Sequence, residues 1–162
     1  MDLYSDLDSI VPDYRRFLGI TEGDLTVLLS IWPHIAPELD DVLVAFHDRT
    51  SLIDGLGDYT YAERSALIDK QKRNITMLFT SRLGEDYVRS TMRMAISYRV
   101  RDLPFGWYIA GSAVFSELIR AKILGAAGLD NALKFQAQEA VLKLVALDTA
   151  LAASAYNAAL LD

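Results

Sequence analysis

The chain has 162 residues, 52% of them apolar, no Cys and a formal net charge of −6. That length supports one domain with its own core. The composition excludes disulfides and thiolate metal sites, and the acidic balance disfavours nucleic acid as a partner.

No apolar run reaches the roughly 18 residues of a membrane span. The acidic start MDLYSDLDSI lacks the basic and apolar regions of a secretory signal. A cytoplasmic protein without a membrane partner is expected.

Residues 1–20 read as an irregular N-terminal extension, with Pro12 as a break. Thr21, with Asp24 three places on, makes a near capping box for a first helix. Leu25, Leu28, Leu29 and Trp32 form its apolar face. Pro33 and Pro37 interrupt it, so a second helix is expected from about Ala36, with Leu39, Val42, Leu43 and Phe46 as its buried stripe. Residues 51–59 contain Gly55 and Gly57 and read as a loop. Thr60 and Glu63 form a capping box that opens a third helix, on which Leu67, Ile68, Gln71, Ile75, Leu78 and Phe79 recur at helical spacing.

After a turn at residues 80–83, Glu85 and Asp86 place negative charge in the first turn of the next helix, where it suits the helix dipole. Tyr87, Met94 and Tyr98 share one face of that helix. Pro104 ends it and can open another, which carries Trp107, Tyr108, Gly111, Val114, Phe115, Leu118 and Ile119. Residues 125–131 read as a turn, with Asp130 as the cap of the last helix. That helix carries Leu133, Ala137, Ala140, Val141, Leu144, Leu147 and Leu151, and its pattern runs on to Asp162, as in a chain that continues. No long stretch alternates with period two, so the expected fold class is all-α, with six or seven helices in a domain of residues 21–162.

Few residues point to chemistry. There is no Ser-His-Asp order, no Gly-rich phosphate loop and no His/Glu metal spacing. Asp40 with Asp41, and Glu85 with Asp86, diverge on a helix because they are adjacent. No catalytic residue, no metal site and no enzyme are expected. His34 reads as a surface residue at a helix break, and His47 as a partly exposed residue of an amphipathic helix. Met77, Met92 and Met94 are flexible core fillers.

The run Tyr98-Arg99-Val100-Arg101-Asp102-Leu103, followed by Pro104 and Trp107-Tyr108, resembles a motif of the sensor globins. These are the haem-binding domains of globin-coupled sensors such as aerotaxis transducers. In that family the helix ends in His, any residue, Arg, Ile, Gly, Leu, before a proline and Trp-Tyr. The His is the proximal haem ligand. Leu103 and Trp107-Tyr108 match. Tyr98 stands at the His position, Asp102 at the Gly position, and Pro104 comes one place early. Phe46-His47 stands where the family has Phe-Tyr, the Tyr being the residue that hydrogen-bonds bound oxygen. Phe79, Asp148 and Tyr156 also resemble family positions, and the likeness runs over residues 15–160.

The resemblance implies a globin-like sensor domain that pairs its last two helices with a second copy and signals to an output domain in the full-length protein. It places a pocket between the helices of residues 61–79 and 84–102, with Phe46, Gln71, Ile75, Met94 and Trp107 lining it. Two functions stay open. One is a non-haem globin of the kind found at the N-terminus of stressosome proteins. The other is a haem-based gas or redox sensor in which Tyr98, as phenolate, or His47 contacts haem b. The first is preferred, because His47, Tyr98 and Asp102 all depart from the family at the pocket while the fold residues remain. Tyr98 is then expected to fill the haem space and to bond a helix carbonyl, and Trp107 to be a buried anchor.

Overall fold

The computed structural model describes residues 3–158, with side chains from Ser9 onward. They form seven α-helices, α1 (Leu3–Leu18), α2 (Glu22–Ile35), α3 (Leu39–Thr50), α4 (Tyr61–Thr80), α5 (Glu85–Val100), α6 (Gly106–Gly125) and α7 (Asn131–Ala158), with a 3-10 turn at Ala36–Glu38. Among the described residues there is no strand, and the all-α expectation holds. The continuation of α7 to Asp162 lies outside the described residues.

Helix α7 is the axis on which the others assemble: α1, α2, α5 and α6 all pack against it. Its inner face carries Ala137, Ala140, Val141, Leu144, Leu147, Leu151, Ala152 and Ala155, all buried. Alternating small and large side chains there let neighbouring backbones approach closely while still filling the space between them. Asp130 caps its start, with Oδ1 accepting from the Leu133 N–H at 2.7 Å. Both capping boxes form as the spacing requires, Thr21 with Asp24 at α2 and Thr60 with Glu63 at α4. These bonds satisfy amide donors that the first turn of a helix leaves free.

Residues 3–18 correct the expectation of an irregular start. They are one helix with Pro12 inside it. Pro12 is exposed, whereas Val11 is buried and Ile10, Tyr14 and Leu18 pack against the core. Burial of that stripe against α7 outweighs the roughly 3 kcal/mol that an interior proline costs. The helix stops in a left-handed turn: Gly19 has φ 67°, its N–H bonds the Arg16 carbonyl at 3.3 Å, and the Ile20 N–H bonds the Arg15 carbonyl at 2.9 Å. Pro33 likewise sits inside α2, and the break comes only at the 3-10 turn that holds Pro37. The buried face of α2 is Leu25, Leu28, Ile31 and Ile35, while Leu29 faces out.

The end of α5 uses the same stop without a glycine. Asp102 has φ 54°, its N–H bonds the Arg99 carbonyl at 3.0 Å, and the Leu103 N–H bonds the Tyr98 carbonyl at 2.9 Å. Asp is among the few non-Gly residues that enter this region readily, so Asp102 makes the turn without a Gly. Tyr156 Oη then donates to the Leu103 carbonyl at 2.9 Å and ties this corner to α7.

Candidate functional site

Helices α3 to α7 leave a cavity of about 80 Å³ between them, lined by Leu43, Phe46, Gln71, Asn74, Ile75, Leu78, Met94, Tyr98, Tyr108, Gly111, Ser112, Phe115, Val145 and Asp148. Outside it, between α4, α5 and the loop before α4, lies a more polar cleft of about 390 Å³. Phe46, Gln71, Met94 and Tyr98 line both and form the wall between them.

The polar end of the inner cavity is a buried knot centred on Asp148. Its Oδ1 accepts from Tyr87 Oη at 2.6 Å and from Thr91 Oγ1 at 3.1 Å. Its Oδ2 accepts from Tyr108 Oη at 2.7 Å. Thr91 Oγ1 also lies 3.4 Å from Asn74 Oδ1. One carboxylate thus joins α5, α6 and α7. Burial raises the Asp148 pKa, and the three hydroxyl donors pull the other way. Burial, then the nearby Asp148 charge, pushes the Tyr87 and Tyr108 phenols well above their usual range.

Tyr98 is packed edge-on against Tyr108, with ring centroids 5.4 Å apart, and Tyr108 stacks on Phe105 at 5.2 Å. Among the described residues Tyr98 Oη makes no bond to a helix carbonyl, which corrects that expectation. Burial raises the Tyr98 pKa, and Tyr59 adds to this while Arg101 opposes it. The two arginines adjacent in sequence are engaged elsewhere. Arg101 donates to Tyr59 Oη and lies 4.5 Å over the Tyr59 ring, and Arg99 lies 5.4 Å over the Tyr156 ring.

His47 corrects the reading of a partly exposed residue, since only 3% of it is exposed. Its Nε2 is 2.7 Å from Gln71 Oε1, an acceptor, so Nε2 is the nitrogen that donates in this arrangement. Burial is the main cause of its lowered pKa, against the Gln71 bond, which opposes it. His34 is exposed and lies over Gly128, where a Cβ would come within 2.6 Å of its ring.

Among the residues expected at the pocket, Phe46, Gln71, Ile75, Met94 and Tyr98 meet at the inner cavity, and His47 borders the outer cleft. Trp107 does not join them. It is 38% exposed, because the α6 residue facing inward is its neighbour Tyr108. The reading of Trp107 as a buried anchor and pocket residue is corrected accordingly. The sequence reading missed the Tyr87–Thr91–Asp148 knot. Its signal was a lone acid, Asp148, on the otherwise apolar stripe of Leu144, Leu147 and Leu151.

Cavities that enclose cofactor-sized molecules run to about 300–1,000 Å³, several times the inner cavity. Iron also needs a deprotonated or free donor atom. Burial disfavours the Tyr98 phenolate, and the His47 Nε2 is bonded to Gln71. In this arrangement the donor set and the space do not fit an iron-ligated haem. Among the described residues no group of three His, Asp or Glu side chains is placed to hold a metal ion, and no helix is long and apolar enough to cross a membrane.

A family model described as Protoglobin matches residues 7–161. The globin domain of the Geobacter sulfurreducens globin-coupled sensor superposes with a TM-score of 0.78 at 15% identity, over 90% of this chain and 96% of that one. At that identity the likeness is one of fold. No curated protein matches the chain.

Proposed function

Because the chain belongs to the protoglobin family, we propose that it is a sensory globin domain that passes a signal through its last two helices to an output domain, and that it does so without haem. The observation that carries this reading is the wall of Phe46, Gln71, Met94 and Tyr98 across the pocket. The residue at the proximal position is a phenol packed on Tyr108, and the residue at the distal position is an imidazole held by Gln71. The phenol can ligate iron only as phenolate, and with a reference pKa near 10 it costs roughly 4 kcal/mol to ionise at neutral pH; the imidazole Nε2 is taken by its bond to Gln71.

Transmission has a physical route. Tyr108 on α6 and Asp148 on α7 both line the cavity and bond each other, so a change in the cavity acts directly on the α6–α7 pair. The outer face of that pair is a groove containing Ile109, Ala113, Leu124, Leu142, Ala146 and Ala150. Ile109 is 52% exposed, and Leu124 and Leu142 are 56% exposed. An apolar groove of this kind suits a second copy of the chain, and dimerisation there places the signal-bearing helices side by side. The role is regulatory rather than enzymatic.

Haem titration of wild type, Tyr98→His and Tyr98→Phe, followed by absorption, tests the haem-free reading. A Soret band in Tyr98→His alone is expected. Tight haem binding by wild type, with a charge-transfer band that Tyr98→Phe abolishes, makes Tyr98 an iron ligand and the domain a haem sensor.

A further inference from the structure

Asp148 is a buried acid, and among the described residues no cation pairs with it. Its partners are the hydroxyls of Tyr87, Thr91 and Tyr108, which bring dipoles but no charge. An ionised carboxylate has about four acceptor sites, and these three bonds leave one. Asp148 lines the inner cavity, whose lining contains no Lys, Arg or His. The rings of Phe46, Tyr98, Tyr108 and Phe115 line the same space. A carboxylate together with aromatic walls is the combination that attracts an ammonium group, since ring faces carry negative potential. Leu43, Ile75, Leu78 and Val145 supply an apolar surface for an alkyl chain.

We propose that the inner cavity is a binding site for a small alkylammonium cation, with Asp148 as its counter-charge. The proposal rests on the haem-free reading of the pocket and names the class of signal it takes. Size bounds the guest. A cavity of about 150 Å³ accepts benzene, with its six carbons, so 80 Å³ accepts about three heavy atoms by the same scale. An anion is repelled by Asp148. A neutral alcohol of the same size gains the apolar walls but not the charge pairing.

Guest binding also has a consequence for the helices. An ammonium group that pairs with Asp148 competes with Tyr108 for Oδ2 or shares it, and Tyr108 is the α6 partner of α7 in this knot. Occupancy therefore bears on the α6–α7 contact that the proposed signalling route uses.

The probe is ethylammonium chloride, titrated into haem-free wild-type protein at constant ionic strength and followed by methyl-detected NMR. At the ligand-efficiency ceiling for very small ligands, three heavy atoms give a Kd on the order of 1 mM. Saturable shifts are expected at the methyls of Leu43, Ile75, Leu78 and Val145, with ethanol at least about ten-fold weaker and sodium acetate silent. Asp148→Asn should lower ethylammonium affinity by about ten-fold or more. Ser112→Leu, which fills the cavity and keeps Asp148, should abolish the shifts and keeps the test decisive if Asp148→Asn does not fold. The proposal is overturned if the shifts do not saturate, if ethanol binds equally well, or if the folded variants bind like wild type. Haem uptake is read separately as a Soret band and bears on the haem-free reading. Absent ammonium binding in colourless protein overturns this inference alone.

Discussion

Tyr87→Phe removes one hydroxyl and leaves the buried ring in place. Tyr87 is 0% exposed, so the change deletes a buried donor to Asp148 Oδ1, where the bond is 2.6 Å long. Hydrogen bonds to charged groups contribute about 1.5–3 kcal/mol, and neutral ones about 1 kcal/mol. With Thr91 and Tyr108 still donating, a loss of about 2 kcal/mol at pH 7 follows, or a fall in Tm of about 4–8 °C for a domain of this size.

The pH dependence carries the sign. The folded pKa of Asp148 is raised above its ordinary 3.8 by burial. Just above that value the folded protein holds a proton that the unfolded chain has released. The contribution of Asp148 to stability is therefore greatest below about 3.8 and is lost as pH rises through the folded pKa. Removing a donor to the carboxylate raises that pKa further, so the variant loses more stability above the folded pKa than below it, where the bond is between neutral groups and worth about 1 kcal/mol. Urea denaturation followed by circular dichroism between pH 4 and 8 measures both quantities. A variant within 0.5 kcal/mol of wild type, roughly the noise of a surface substitution, at every pH would refute a charged, donor-dependent knot.

The other predictions concern separate parts of the fold. His47 has a lowered folded pKa against an ordinary 6.5, so its contribution is complete above about 6.5 and is lost as pH falls through the folded value. Denaturation curves of His47→Gln should be flatter than wild type below that pH, and equal slopes would place the acid-sensitive group elsewhere. Asp102→Gly relieves a left-handed residue at φ 54° and should raise stability by about 0.5–1 kcal/mol, read as a higher urea midpoint at unchanged m. Trp107→Ala at a site 38% exposed should cost about 2 kcal/mol, below the 3–5 typical of a core aromatic; thermal melts check it. Wild type should scatter light as a dimer at tens of micromolar, by rough expectation for a standard-size interface. The double variant Ile109→Glu with Leu142→Glu should scatter as a monomer, and an unchanged mass would remove α6–α7 as the interface.

What the sequence determined by itself is what short-range chemistry fixes. Thr21 with Asp24, Thr60 with Glu63, and Asp130 with Leu133 place helix starts because each capping bond spans three residues. The loop around Gly55, with φ 80°, follows from the same local logic, as does the buried stripe of α7. The family motif around Leu103 and Trp107-Tyr108 was legible too, and with it the fold. Tertiary structure decided the rest. Pro12 argues locally for a break, and only burial of Val11 against the core makes residues 3–18 a helix. Helix α6 is apolar nearly all round, so its pattern could not say that Tyr108 faces inward and Trp107 outward. Tyr87 and Tyr108 are 61 and 40 residues from Asp148. Partners that far apart are matched by the packing of three helices, because a side chain's spacing along its own helix sets the face it occupies but not what that face meets.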